Sequence, residues 1–365
     1  MKVKIITLHR VYNYGSVLQA YATEKVIEKY TDADTEIIDY YSSFRTPRAL
    51  LMDDGGYNNI LKSAVYRVLH AGSIFLKIKT FGGFLKKECK LTKKYITYED
   101  LVSDPPEADV YVTGSDQVWN SIYNRGIDKA FFLQFVKPNA NKVAFVSSFG
   151  MAEIPESEKE ETISYLNEYS AISVREDEAI SIFEREGLST PSWLIDPTLQ
   201  LSKNEWMSIS SKRLVKEPYL VLMLLYNEDE GATEYARRIA DERGLKLVKI
   251  SWEIRKSDMI DILFTHRSPE DFISLFAMAD FIVTNSFHGT AFAINLERQF
   301  VVVPRKEFNS RITSLLNLTN LSSRLVSSCE EAMIMSEEYI EYSEINEILN
   351  KEREKAKIFI QKNIK

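Results

Sequence analysis

Between Ala279 and Arg305 the chain reads ADFIVTNSFHGTAFAINLERQFVVVPR. An apolar run leads into Thr284-Asn285-Ser286-Phe287-His288-Gly289-Thr290, and a second apolar stretch follows directly. The pattern predicts a strand, a tight turn and a helix, with His288 at the strand's carboxyl end beside the helix N-terminus. Unpaired backbone N–H groups and the helix dipole favour an anion there. A histidine beside a bound anion is held more protonated than in water, which suits a general acid. On this reading Ser286, Gly289 and Thr290 line the anion site. The same residues also serve plain structure: Ser286 or Thr284 caps the helix and His288 is a satisfied turn residue. The local pattern leaves the two level.

Two further segments carry similar chemistry. In TLHRVYNYGSVLQA, Thr7 to Ala20, Gly15 ends a loop at a helix start, and Asn13, Tyr14, Ser16 and Gln19 can meet a polyhydroxyl ligand. Gly15 can equally serve only the turn. In VTGSDQVWN, Val112 to Asn120, a strand end is followed by Gly114, Ser115 and Asp116. Asp116 can accept a proton from a hydroxyl nucleophile, or act as a helix cap. Ser115 and Trp119 are candidates for contact with a sugar, Trp119 equally for filling the core. Arg175, Arg305 and Arg311 stand near expected strand ends. Guanidinium groups bind carboxylate and phosphate bidentately, so a doubly anionic substrate would use more than one. Arg175 beside Glu176 and Asp177 also reads as a structural ion pair. Lys77 to Tyr95 holds seven lysines and one acid, a candidate contact with an anionic membrane surface or a solvated helical face.

The elements that must position these residues alternate between strand and helix. Val3 to Leu8, Thr35 to Ile38, Asp109 to Thr113, Val143 to Gly150 and Ala171 to Asp177 read as strands, and Val17 to Tyr30 as a helix. After turn-rich residues from Ser192 to Trp206 a second series begins. Strands are expected at Tyr219 to Tyr226, Lys246 to Ser251, Phe281 to Val283 and Phe300 to Val303; helices at Gly231 to Arg243, after Ser268-Pro269, at Gly289 to Leu296 and at Ser310 to Leu318. Such alternation predicts parallel, helix-covered sheets. Glu344 to Ile364 reads as an amphipathic helix. The expected class is α/β, two Rossmann-like domains with an interdomain cleft: 1–195 on the acceptor side, 196–335 on the donor side, and 336–365 packing back on the body.

Composition narrows the function. The 365 residues are 45% apolar, enough for about two domains. A net charge of −7 argues against a surface devoted to nucleic acid. Cys89 and Cys329 form neither a disulfide framework nor a metal cluster, and the four histidines stand far apart. No apolar run reaches the roughly 20 residues needed to span a bilayer. A cytoplasmic setting is expected, with the membrane's inner face as a further location.

Taken together, TLHRVYNYGSVLQAYA, VTGSDQVWN, SSFG, ISVRE, DPTLQL, TNSFHGTAFAINL, FVVVPR and NSRITSLL resemble the polysaccharide pyruvyl transferase family in order and spacing. The resemblance runs from Lys2 to about Leu325. It implies a GT-B-like fold and transfer of a pyruvyl group from phosphoenolpyruvate to sugar hydroxyls as a ketal, without a metal or cofactor. It further implies a saccharide acceptor, lipid-linked or polymeric, and functional roles for His288 and Arg175. Relatives carry Arg-Leu-His where this chain has Ser286-Phe287-His288, so the family arginine is absent and Arg305 or Arg311 is left to replace it. Two other readings compete: a GT-B glycosyltransferase using a nucleotide-sugar donor, and a silent saccharide-binding member.

Overall fold

The computed structural model describes residues 1–53, 59–225, 231–252, 257–305 and 309–365. The chain divides into two compact units, Met1–Pro197 with Glu354–Lys365, and Thr198–Arg353.

The first unit is built on seven strands: β1 (Lys2–Ile6), β2 (Asp34–Tyr40), β3 (Leu91–Tyr95), β4 (Val110–Thr113), β5 (Asn141–Ser147), β6 (Ala171–Val174) and β7 (Ser192–Trp193). Their order is β3-β2-β1-β4-β5-β6-β7, and every pairing is parallel. The β1, β4 and β5 runs are apolar because parallel strands covered by helices are buried on both faces. Helix α1 (Tyr14–Tyr30) follows β1, α2 (Ile60–Glu88) precedes β3 and α3 (Glu178–Arg185) follows β6. Chain order reverses direction between β1 and β4, and ligands of such sheets bind beyond the strand carboxyl ends at that switch point.

The second unit repeats the plan with β8 (Tyr219–Met223), β9 (Lys246–Ser251), β10 (Ile262–Thr265), β11 (Phe281–Thr284) and β12 (Phe300–Val302), ordered β10-β9-β8-β11-β12 and again all parallel. Its switch point lies between β8 and β11. The helices α4 (Ala232–Glu242), α5 (Pro269–Ala277), α6 (Phe287–Asn295) and α7 (Ser310–Leu318) follow in turn. Ser268 caps α5 by accepting from the Asp271 N–H at 3.2 Å. Tyr226, the end expected for the β8 strand, lies outside the described residues.

The terminal helix α8 (Tyr342–Asn363) is present but is shared by both units rather than forming a segment of its own. Through Arg353 it belongs to the second unit, where that guanidinium donates to the Leu199 carbonyl at 2.9 Å and to Asn295 Oδ1 at 2.8 Å. From Glu354 it belongs to the first, where Phe359 stacks on Phe145 at 6.2 Å. Three strands escape the sequence pattern: β3, β7 and β10. The first carries lysines, the second is two residues long, and the third is only half-buried.

One buried carboxyl in α1 makes the first unit pH-sensitive. Glu24 is buried and accepts the Lys90 N–H at 2.8 Å; burial outweighs the neighbouring Lys25 cation and pushes its pKa from the ordinary 4.5 up to about 7. The fold therefore favours the protonated form. That contribution is complete below the unfolded value and is lost as pH rises through the folded one. Glu24→Gln is expected to leave stability at pH 4.5 nearly unchanged and to raise it at pH 8 by about 3 kcal/mol, measured by urea denaturation at both pH values.

Candidate active site

At the first switch point Thr7 follows β1, and His9–Val11 form a single 3-10 turn closed by Tyr12 at φ 54°. Asn13 then caps α1, its side chain accepting from the Ser16 N–H at 2.8 Å. Tyr14 and Gly15 lie inside the first helical turn, buried, with Tyr14 edge-on to Phe81 at 5.2 Å. The capping role of Asn13 and the packing of Tyr14 thus fix the helix start. Ser16 turns the other way, and its hydroxyl donates to Asp116 Oδ2 at 2.6 Å. Gln19 donates to Thr7 Oγ1 at 3.0 Å, and Thr7 in turn to the Ser115 carbonyl at 2.7 Å. The Thr7–Ala20 and Val112–Asn120 segments, a hundred residues apart, are therefore stitched into one polar cluster.

Asp116 is not a helix cap; Asn120 fills that role for Ser121–Asn124. Asp116 instead takes a left-handed backbone with φ 76°. For an aspartate this costs on the order of 1 kcal/mol or more and persists only when the surroundings impose it. Its Oδ1 accepts the Gln117 N–H at 2.9 Å and lies 3.7 Å from Arg175 Nη2. Arg175 also reaches Asp196 Oδ2 at 3.2 Å and Glu176 Oε2 at 3.8 Å, and its side chain is 1% exposed. Burial works against the charge, yet Asp196, Asp116 and Glu176 outweigh it and raise the guanidinium pKa. Arg175 is therefore the buried centre of three carboxylates, as its ion-pair reading expects. Ser115 donates to Asp196 at 3.3 Å, also fully buried.

A bulge in β5 completes the cluster. The register between β5 and β6 shifts after Ala144, and Val146 sits at φ 57°, unusual for a β-branched residue. The shift brings the Ser147 hydroxyl to the Gly114 carbonyl at 3.0 Å, and Ser148 Oγ, Phe149 N and Gly150 N to Glu176 Oε1 at 2.8, 3.0 and 3.2 Å. Gly150 has φ 60°, and a Cβ there would lie 2.4 Å from Gln117, so this turn requires glycine. Trp119 belongs to the core: it is buried, parallel to Phe132 at 5.8 Å, and its indole N–H donates to the Phe131 carbonyl at 3.3 Å. It offers no sugar platform.

In the second unit β11 runs into Ser286, which caps α6, and its hydroxyl accepts the Gly289 N–H at 3.2 Å. The Thr290 N–H goes to the Ser286 carbonyl at 2.9 Å. Ser286, Gly289 and Thr290 are thus buried and bonded within the helix start. Gly289 is required by close approach, since a Cβ would fall 2.4 Å from Thr284 Oγ1. His288 is half-buried in the first turn, its ring 5.1 Å from that of Phe287. Arg311 of α7 places its guanidinium 5.9 Å from the Phe287 ring. Arg305 is half-buried after β12, its backbone N–H held by Asn309 Oδ1 at 2.9 Å. The structure thus gathers His288, Phe287 and Arg311 in this unit, and Asp116, Ser115, Ser16 and Arg175 in the other.

Sequence reasoning placed Glu176 beside Arg175 but missed Asp196 and the Ser16–Asp116 bond, although Asp196 opens DPTLQL.

The comparisons with known proteins fit this architecture. In structure, the chain is similar to the UDP-GlcNAc 2-epimerase of Neisseria meningitidis bound to UDP-GlcNAc, with TM-score 0.52 and 10% identity, covering 100% of this chain and 99% of that one. It is likewise similar to the UDP-GlcNAc 2-epimerase of Methanocaldococcus jannaschii in complex with UDP-GlcNAc and UDP, with TM-score 0.52, 13% identity and coverage of 96% and 99%. At such identities the likeness shows the fold alone, a GT-B-like chain of two Rossmann-like units. None of the curated proteins compared with the chain matches it. The family model for polysaccharide pyruvyl transferase matches residues 13–307. That span takes in both switch points, from the Asn13 cap to the turn after β12, and so the chain belongs to the polysaccharide pyruvyl transferase family.

Proposed function

We propose that the chain moves a pyruvyl group from phosphoenolpyruvate to two hydroxyls of one sugar in a surface polysaccharide or its lipid-linked precursor, releasing phosphate. The observation that carries the reading is His288 in the first turn of α6, at the carboxyl end of β11, with Arg311 stacked against the adjoining Phe287 ring. His288 protonates the methylene carbon of the donor, and the adjoining carbon gains oxocarbenium character. A sugar hydroxyl adds there, giving up its proton; the C–O bond to phosphate breaks; a second hydroxyl closes the ketal. One hydroxyl proton restores the imidazole and the other leaves with phosphate. Asp116 is the candidate base for the hydroxyl, with Ser16 and Arg175 orienting its carboxylate. Arg311 takes the place of the family arginine at the donor's anionic groups, with Arg305 as a second cation.

The test is incubation with phosphoenolpyruvate and a panel of nitrophenyl and lipid-linked glycosides, following phosphate release and the sugar's mass. Phosphate release matched by a pyruvyl mass gain is expected. Arg311→Ala should raise KM for phosphoenolpyruvate roughly tenfold or more, as loss of a charge-assisted bond costs about 1.5–3 kcal/mol. The two UDP-GlcNAc 2-epimerases of similar fold are bound to UDP-GlcNAc, so nucleotide sugars form the control. A melting temperature raised by UDP-GlcNAc and not by phosphoenolpyruvate would favour the glycosyltransferase reading instead.

A further inference from the structure

Helix α2 is 29 residues long; Arg67 Nε donates to the Met52 carbonyl at 3.1 Å, and its C-terminal part packs on α1. There Phe81 meets Tyr14 at 5.2 Å, Phe84 meets Tyr21 at 5.8 Å and Leu85 is buried. Toward its N-terminus a different face is bare. Leu61, Val65, Val68, Leu69, Phe75 and Leu76 are 74, 50, 77, 72, 61 and 42% exposed. Their spacing of i, i+4, i+7, i+8, i+14 and i+15 puts them on one side of the helix. Gly72 occupies the intervening turn, its Cβ position open. The row is about 22 Å long at 1.5 Å per residue. Single exposed apolar residues are ordinary; six in register mark an interaction surface.

The charge around the row selects the partner. From Asn59 to Lys87 the sequence has no aspartate or glutamate, while Lys62, Arg67, Lys77, Lys79, Lys86 and Lys87 fall within it. The whole chain is acidic, with 53 acids against 46 bases, so this basic stretch runs against the composition. A second copy of the helix would bring like charges together along the seam. An anionic bilayer supplies acyl chains for the row and phosphates for the cations. Among the described residues no helix is long and apolar enough to cross a membrane. We propose that α2 lies in the interface of an anionic bilayer with its Leu61–Leu76 row in the acyl region. This moves the membrane contact upstream of the lysine run ending at Tyr95: Lys90 pairs with Glu28 and Asp34 at 3.2 and 3.1 Å, and Lys93 pairs with Asp104.

The inference does not rest on the proposed reaction, and its test reads binding, not turnover. The full chain is sedimented with phosphatidylglycerol-containing vesicles and with pure phosphatidylcholine vesicles. Binding to the anionic vesicles is expected, falling as salt is raised. The triple variant Val68→Gln, Leu69→Gln, Phe75→Gln should lower that partition at least roughly tenfold with an unchanged melting temperature. Lys62→Gln with Lys79→Gln should lower it about fivefold per cation, and this pair carries the test if the triple variant melts lower. Equal sedimentation of wild type and both variants overturns the proposal. So does a solution dimer that the triple variant dissolves, which would give the row to a second copy.

Discussion

Replacing His288 with asparagine is expected to lower kcat for pyruvyl transfer at least about a hundredfold, the low end of what a positioned proton donor contributes. The demanding step is protonation at carbon. An asparagine amide can donate a hydrogen bond there but cannot release the proton, so the oxocarbenium character that draws in the sugar hydroxyl never develops. KM for phosphoenolpyruvate should change little, because the anionic groups are held by arginine rather than imidazole. The helix start should also survive: it is fixed by the Ser286 cap on Gly289, the Thr290 N–H to the Ser286 carbonyl, and the fit of Gly289 against Thr284. A melting temperature equal to that of the wild type, beside lost phosphate release and lost sugar adduct, is the predicted pair of readings. Turnover in deuterium oxide adds a direct check, since one deuterium should enter the ketal methyl group. Near-normal kcat in the variant, or a methyl group without label in the wild type, would refute the role of His288 as acid.

Why the place of this histidine in the fold was legible in the sequence, and the bonding of its neighbours was not, is a matter of range. Strand, turn and helix around Thr284–Thr290 are set by local apolar patterning and a serine cap, and all three are where the sequence places them. The expected anion ligands Gly289 and Thr290 depend on where their N–H groups point, and the cap and first helical bond consume both. Arg175 shows the same limit at longer range. Glu176 is its sequence neighbour, but Asp116 and Asp196 come from the end of β4 and the residues after β7, and only the parallel order of those strands brings them to it. The β5 bulge at Val146 had no sequence signature at all, because valine is a strand residue with no preference for positive φ. The edge strand β3, Leu91–Tyr95, reads as a lysine run, and its place is given by backbone pairing to β2 rather than by an apolar face.

Arg175→Met is expected to destabilise the first unit by about 3–5 kcal/mol, the usual consequence of removing one member of a buried ionic group. At the size of this unit that is a fall in melting temperature of roughly 10 °C. Glu176 would keep the Ser148 hydroxyl and the Phe149 and Gly150 N–H groups. Asp116 and Asp196 lose more: each would retain a serine hydroxyl, at 2.6 and 3.3 Å, but no longer face the buried guanidinium. Arg175→Lys should recover only part of the loss, because an ammonium is a point charge and cannot address three carboxylates as a planar fork does. The contrast with Arg311 separates the two kinds of arginine in this protein. Loss of Arg311 should show in KM with the fold intact, whereas loss of Arg175 should show first in stability and then in kcat, through a misplaced Asp116. An Arg175→Met protein that melts within about 2 °C of the wild type yet no longer binds phosphoenolpyruvate would reverse the assignment, making the buried guanidinium the donor's anion ligand and the three carboxylates bystanders.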